Sequence, residues 1–305
     1  MTITDSPDVR KLLENLLPGL HIDSVPAKSG QRVVYFCKFL SPASSRFQNW
    51  GDVVLKVSQQ LSPKQIAYLQ KEVEILNSLD SPCYPKLLHT EVFTHDPRTE
   101  DPLPARLFVS VEKRINASPL SDCVRDFQTE QSVANLLIRL IDALDLLWSR
   151  PDKIIHRDLK PANILVKKDR GIVIIDLGIV REEGTAGNTE TVLPWGPCSP
   201  PYASPEQAKN DKRHITFKSD FFAMGTIAYE LLCGRNPYYA TGDCREDILH
   251  KVLTKAPPTL ASLGRASEAF SGVIETVMRK EPYERYRSPQ RFRDALLLAR
   301  GALNG

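Results

Sequence analysis

The stretch "IIHRDLKPANIL" runs from Ile154 to Leu165, and "VIIDLGIV" follows it from Val173 to Val180. Between two apolar runs the first stretch sets His156, Arg157, Asp158, Lys160 and Asn163. A lone loop aspartate reads as a solvated carboxylate. Asp158 is not alone: an ammonium stands two residues on, a side-chain amide five residues on, and a second carboxylate, Asp176, opens "DLG" after the next apolar run. The flanking "KII" (153–155) and "GIVII" (171–175) read as short strands or buried segments that fix the two polar loops.

The rest of the chain sets the bounds. Its 305 residues exceed one small core, so two lobes or two domains are expected. The hydrophobic fraction of 42% and charged fraction of 25% are those of an ordinary globular protein. Lys plus Arg number 40 against 37 Asp plus Glu, so the net charge of +3 favours no nucleic-acid partner. The six cysteines form no C-x-x-C pair and no zinc spacing, which points to free thiols in a reducing, cytoplasmic compartment. The start "MTITDSPDVRKLLENLL" lacks the pattern of a signal peptide, and no window has 18 uncharged apolar residues, so no membrane span is expected.

Residues 5–17 read as a short amphipathic helix ended by Pro18. β-like runs follow at 32–39 ("RVVYFCKF"), 52–57 ("DVVLKV") and 105–113 ("ARLFVSVEK"). Between them "LSPKQIAYLQKEVEILNSL" reads as a helix with Ser62 as N-cap, Pro63 at its first position and Gln65 closing a capping box. "THDPRTEDPLP" (94–104) reads as a polar loop. From about residue 118 the periodicity becomes helical, with Val133, Leu136, Leu137, Leu140, Ile141, Leu144 and Leu147 on one face. Further helices are expected at 218–233, 245–254, 267–280 and 288–303, the last with Ser288 as N-cap.

"HRDLKPAN" followed by "DLG" resembles the catalytic and metal-binding loops of eukaryotic-type (Hanks-type) serine/threonine protein kinases. The resemblance runs over roughly 25–303 and implies an α+β, bilobal fold, with a small β-rich lobe (about 25–113), a larger helical lobe (about 118–305) and the ATP site between them. Residues 1–24 would be an N-terminal helical extension to a kinase domain of 25–305. The resemblance implies roles for the polar residues. Asp158 orients the attacking hydroxyl, Lys160 stabilises the transferring phosphoryl group, Asn163 holds one Mg²⁺, and Asp176 holds metal on the phosphates.

Lys56, ending "VVLK", matches the lysine that contacts the α- and β-phosphates, and Glu72 on the next helix matches its ion-pair partner. Glu74 competes for that role; Ile75–Leu76 favours Glu72, and Glu74 should lie about 200° away around the helix. Val111 would be the gatekeeper, and the backbones of Glu112 and Lys113 would meet the adenine. Val34 and Val54 would cover the ring from above and Leu165 from below. The glycine loop departs from the family. In "AKSGQRVV" (27–34), Ala27, Ser29 and Arg32 stand at the three glycine positions, and Gly30 is the only glycine. Glycines there let backbone N–H groups approach phosphates. Arg32 either weakens nucleotide affinity, or it or Lys28 contacts a phosphate directly.

"YASPEQ" resembles the end of an activation segment, with Glu206; "SDFFAMG" carries an Asp220 that would brace the catalytic loop; Arg285 in "PYERYRS" would pair with Glu206. Lys160 and Ser199 point to Ser/Thr acceptors in a protein substrate. "SPEQ" leans toward a bacterial member. Autophosphorylation is expected at Thr185, Thr189 or Thr191, with Arg157 pairing the new charge. A nucleotide-holding scaffold without transfer is the alternative; a small-molecule phosphotransferase is disfavoured by "YASPEQ".

Overall fold

A computed structural model describes residues 7–23, 27–29, 32–40, 49–59, 63–177, 181–182 and 198–301. Gly30, Ser62, Thr185, Thr189 and Thr191 fall outside them. The chain divides into two compact units, Met1–Asn116 and Ala117–Gly305.

Unit 1 holds helix α1 (Pro7–Leu16), strands β1 (Leu20–Ile22), β2 (Ala27–Ser29), β3 (Arg32–Phe39) and β4 (Gly51–Gln59), helix α2 (Pro63–Ser78), and strands β5 (Leu87–His95) and β6 (Pro102–Lys113). The strands form an antiparallel sheet in the order β1-β3-β4-β6-β5, with β2 also on β3. Strand period 2 sorts its side chains. Tyr35, Cys37 and Phe39 of β3, Val53, Leu55 and Val57 of β4, and Leu107, Val109 and Val111 of β6 lie in one buried cluster. The alternate residues, among them Arg32, Val34, Val54, Lys56 and Glu112, take the other face.

Helix α1 contributes Leu13 and Leu16 to that cluster, and Leu17 and Leu20 follow it in. Burying each leucine stabilises the unit by about 1.5–3 kcal/mol. Pro18 and Gly19, at φ 103°, turn the chain from helix into strand. Glu14 accepts the Ile22 N–H at 3.2 Å and pins that turn.

Strand β5 was not expected from the sequence. Of its nine residues only Phe93 is fully buried, so no apolar alternation marks it. Much of "THDPRTEDPLP" is strand as well: β5 reaches His95 and β6 begins at Pro102. The turn between them closes on Asp96, whose carboxylate accepts the Arg98 N–H at 2.9 Å.

Unit 2 holds β7 (Ala117–Pro119), α3 (Glu130–Trp148), β8 (Ile154–Ile155), β9 (Ile164–Lys167), β10 (Ile172–Ile174), β11 (Arg181–Glu182), α4 (Pro205–Ala208), α5 (Phe217–Cys233), α6 (Arg245–Thr254), α7 (Glu268–Val277) and α8 (Pro289–Gly301). The periodic apolar residues of 133–147 are the buried face of α3, which starts at a Thr129–Ser132 capping box. Ser288 caps α8 through Arg291 N–H at 3.2 Å, and Gly234, at φ 69°, ends α5. The paired strands β9 and β10 carry the two polar loops at their ends. None of the six cysteines is in a disulfide. Among the described residues no helix is long and apolar enough to cross a membrane.

Candidate active site

In unit 2 the loop between β8 and β9 is held from beneath by a buried carboxylate. Asp220, in the first turn of α5, accepts the backbone N–H groups of His156 (3.0 Å) and Arg157 (2.9 Å) and the Trp148 indole N–H (2.9 Å). Arg157 sits at φ 68°, a left-handed conformation that costs a non-glycine residue about 1 kcal/mol. Hydrogen bonds to a charged acceptor, about 1.5–3 kcal/mol each, offset that. Burial pushes the Asp220 pKa up, while His156 and the N–H donors pull it back. Gln207 adds a brace from the other side, its side-chain N–H donating to Arg157 O at 2.8 Å.

The loop then delivers Asp158 into a set of donors. One carboxylate oxygen accepts from Lys160 Nζ (2.8 Å) and Asn163 Nδ2 (3.2 Å); the other accepts from Ser199 N–H (3.1 Å). Lys160 Nζ also donates to Ser199 Oγ at 2.8 Å. Pro161 starts a single 3₁₀ turn that brings Asn163 back over Asp158, where its amide also donates to Asp158 O at 2.9 Å. Ile175 N–H donates to Asn163 O at 3.0 Å, which sets Asp176 beside Asn163 at the end of β10; Asp176 has φ 66°.

Asn163 and Asp176 suit a magnesium ion. The Asn163 amide turns its nitrogen to Asp158, leaving Oδ1 as the available oxygen ligand. An amide oxygen and a carboxylate, completed by phosphate and water oxygens, form the hard donor set Mg²⁺ takes. Among the described residues no group of three or more His, Cys, Asp or Glu forms a self-sufficient metal cage.

Farther from the loop, Glu206 and Arg285 form the expected pair, at 2.7 and 2.9 Å. Arg285 is buried, and its remaining N–H groups donate to the carbonyls of Arg279, Lys218 and Lys280. All five of its donors are satisfied. Ser219 Oγ donates to Glu206 at 2.6 Å. Leu165 stands on the half-buried face of β9, opposite Ile164 and Val166.

Unit 1 departs from expectation at three points. Lys56 is paired with Glu112 at 2.6 Å, not with Glu72. Glu72 is held by the guanidinium fork of Arg32, with Nη1 at 3.0 Å from Oε1 and Nη2 on Oε2. The cause is strand register. Lys56 lies opposite Ser110 and Val54 opposite Glu112, so Lys56 and Glu112 are diagonal neighbours on one face. For the same reason Val111 is not a gatekeeper on that face: opposite Leu55, it is fully buried in the core on the other side. Glu112 presents its side chain in that place. Lys113 also offers no free backbone donor, because its N–H donates to Lys86 O at 2.9 Å. Val34 and Val54 share the Lys56 face.

Sequence reasoning missed Gln207, although the capping-box spacing of Ser204 and Gln207 in "SPEQ" is a readable signal. It also missed the Glu112 side chain, which only the strand register reveals.

Residues 51–296 match the family described as the protein kinase domain. Among curated relatives, the serine/threonine-protein kinase Pkn1 of Myxococcus xanthus is 32% identical over 204 residues, covering 65% of this chain and 28% of that protein. A probable serine/threonine-protein kinase of Corynebacterium efficiens is 31% identical over 202 residues, covering 64% of this chain and 30% of its own length. The serine/threonine-protein kinase PknB of Mycobacterium tuberculosis is 32% identical over 162 residues, covering 52% of this chain and 25% of its own length. The chain thus spans under a third of the length of these relatives.

Proposed function

Because the chain belongs to the protein kinase domain family, we propose that it is an ATP-dependent serine/threonine protein kinase, with residues 25–113 and 118–305 as its two lobes and 1–24 as an addition whose α1 and β1 pack into the core and sheet of the first. The observation that carries this reading is the grip on Asp158 by Lys160, Asn163 and the Ser199 N–H. It fixes the carboxylate in one orientation, as a group must be to align an incoming hydroxyl and take up its proton. Lys160, bridging Asp158 and Ser199, is placed to stabilise negative charge on the transferring phosphoryl oxygens. Asn163 and Asp176 would hold Mg²⁺, which neutralises phosphate charge when bound. Lys56, paired with Glu112, would meet the α- and β-phosphates.

Asp158→Ala removes the hydroxyl-orienting group and leaves the anchors at Asp220 and Gln207 in place. Radiolabel transfer from γ-labelled ATP with Mg²⁺, to the chain itself and to a generic basic protein, should fall by at least about 10³-fold. Equal label in wild type and variant, or none in either, overturns the reading.

One observation favours a second reading, in which nucleotide is held without transfer. Glu72 pairs with Arg32 instead of Lys56. Nucleotide binding with no label in wild type would establish it.

A further inference from the structure

We propose that two buried ion pairs of unit 1 divide the work of binding a polyphosphate: Glu112 positions the Lys56 ammonium, and Glu72 orients Arg32 as a second phosphate-binding cation. This rests on the kinase reading and deepens it.

The four groups form two ion pairs. Side-chain exposure is 10% for Lys56 and 4% for Glu112, 12% for Arg32 and 6% for Glu72. Charges this buried are stable only when paired, and two cations with two anions balance. The fork of Arg32 engages both oxygens of Glu72, a bidentate geometry that leaves Glu72 no oxygen lacking a cationic partner. Lys56 meanwhile has its own carboxylate at 2.6 Å. Glu72 therefore serves Arg32, and Glu112 serves Lys56.

Arg32 begins β3, in register with Ser29 across the β2–β3 hairpin. It stands on the same face as Lys56, which lies opposite Val34 two residues further along β3. A side chain at that position replaces a glycine whose absent Cβ would let backbone N–H groups reach a phosphate. The sequence thus gives up a backbone contact and gains a guanidinium, a group whose planar fork matches phosphate geometry. A triphosphate adds several negative charges to this face, and two pre-oriented cations are the groups that would meet them.

The test is a set of double-variant cycles with two readouts. The first is thermal unfolding of the nucleotide-free chain, which reads the pairs whatever the function. Arg32→Ala and Glu72→Gln should be strongly non-additive, as should Lys56→Met and Glu112→Gln, whereas Lys56→Met and Glu72→Gln should add. The second is Mg-ATP affinity by calorimetry. Arg32→Ala should weaken binding by about tenfold, in line with the loss of one charged contact. Arg32→Lys should restore part of it, and Glu72→Gln should have no further effect in the Arg32→Ala background.

Coupling of Glu72 to Lys56 and not to Arg32 overturns the proposal. So does unchanged ATP affinity in Arg32→Ala. A wild type that binds no nucleotide while the unfolding couplings hold sinks the kinase reading and the phosphate role together, and leaves the pairing standing as structure only.

Discussion

The charged groups around Asp158 and those around Lys56 were both legible as a pattern, yet around Lys56 the structure exchanges the expected partner, Glu72, for Glu112. Around Asp158 the side-chain partners Lys160 and Asn163 are two and five residues away, with the Ser199 N–H joining from 41 residues on, and the backbone that carries Asp158 is tied at His156 and Arg157 to Asp220. Few alternative pairings exist there. Around Lys56 the partners come from different strands and a helix, with 40 residues separating Arg32 from Glu72. Two cations and two anions near one sheet face can pair in more than one way, and strand register selects among them. Local spacing is a strong predictor where the chain is short and anchored, and a weak one where a sheet brings distant residues together.

The largest test of this contrast is Asp220→Ala. Its carboxylate satisfies three N–H groups and holds Arg157 at positive φ. Removing it orphans buried donors, and we expect a loss of about 3–5 kcal/mol in urea unfolding. A loss below about 1 kcal/mol would mean that the loop is held elsewhere, with Gln207 as the candidate brace.

The complementary test concerns the pair Lys56–Glu112. Glu112→Leu alone strands a buried ammonium and should cost about 3 kcal/mol. The double variant Lys56→Met with Glu112→Leu should recover most of that, because an apolar pair of similar volume avoids the desolvation cost of two ions. The two substitutions adding would show that Lys56 has another partner in solution, Glu72 foremost.

Most of the fold could be read from the sequence. α6 spans the expected 245–254, β3 the expected 32–39, and the cap at Ser288 marks a helix start by a mechanism that acts within four residues. β5 was hidden because its half-buried side chains carry no alternation. The same division runs through the site. Asp220 braces the catalytic loop and Glu206 pairs with Arg285, the contacts their motifs imply. Val111 lies in the core and the Glu112 side chain on the Lys56 face because a one-residue difference along a strand exchanges the two faces, and nothing in a single sequence fixes the register of β6 against β4.

The smallest expected effect lies in the anchored unit and shows that anchoring there is not uniform. Lys280 is a largely buried ammonium with no carboxylate partner among the described residues. It donates to Val252 O at 2.6 Å and Tyr238 OH at 3.3 Å, and lies over the Tyr238 ring at 4.5 Å from its centre. Burial first, and then the Arg285 guanidinium, lower its pKa from 10.5 to about 8. A lysine lowered in the folded state is protonated more readily in the unfolded chain. Its cost to stability is therefore fully present below about pH 8 and disappears as pH rises to 10.5. Arg285 stays charged and the Tyr238 hydroxyl, raised by burial, stays neutral across that window. The melting temperature of the wild type should thus rise relative to Lys280→Met between those two pH values. Parallel curves for the two proteins would mean that the carbonyl and the ring compensate the charge in full, making Lys280 as well satisfied as Arg285.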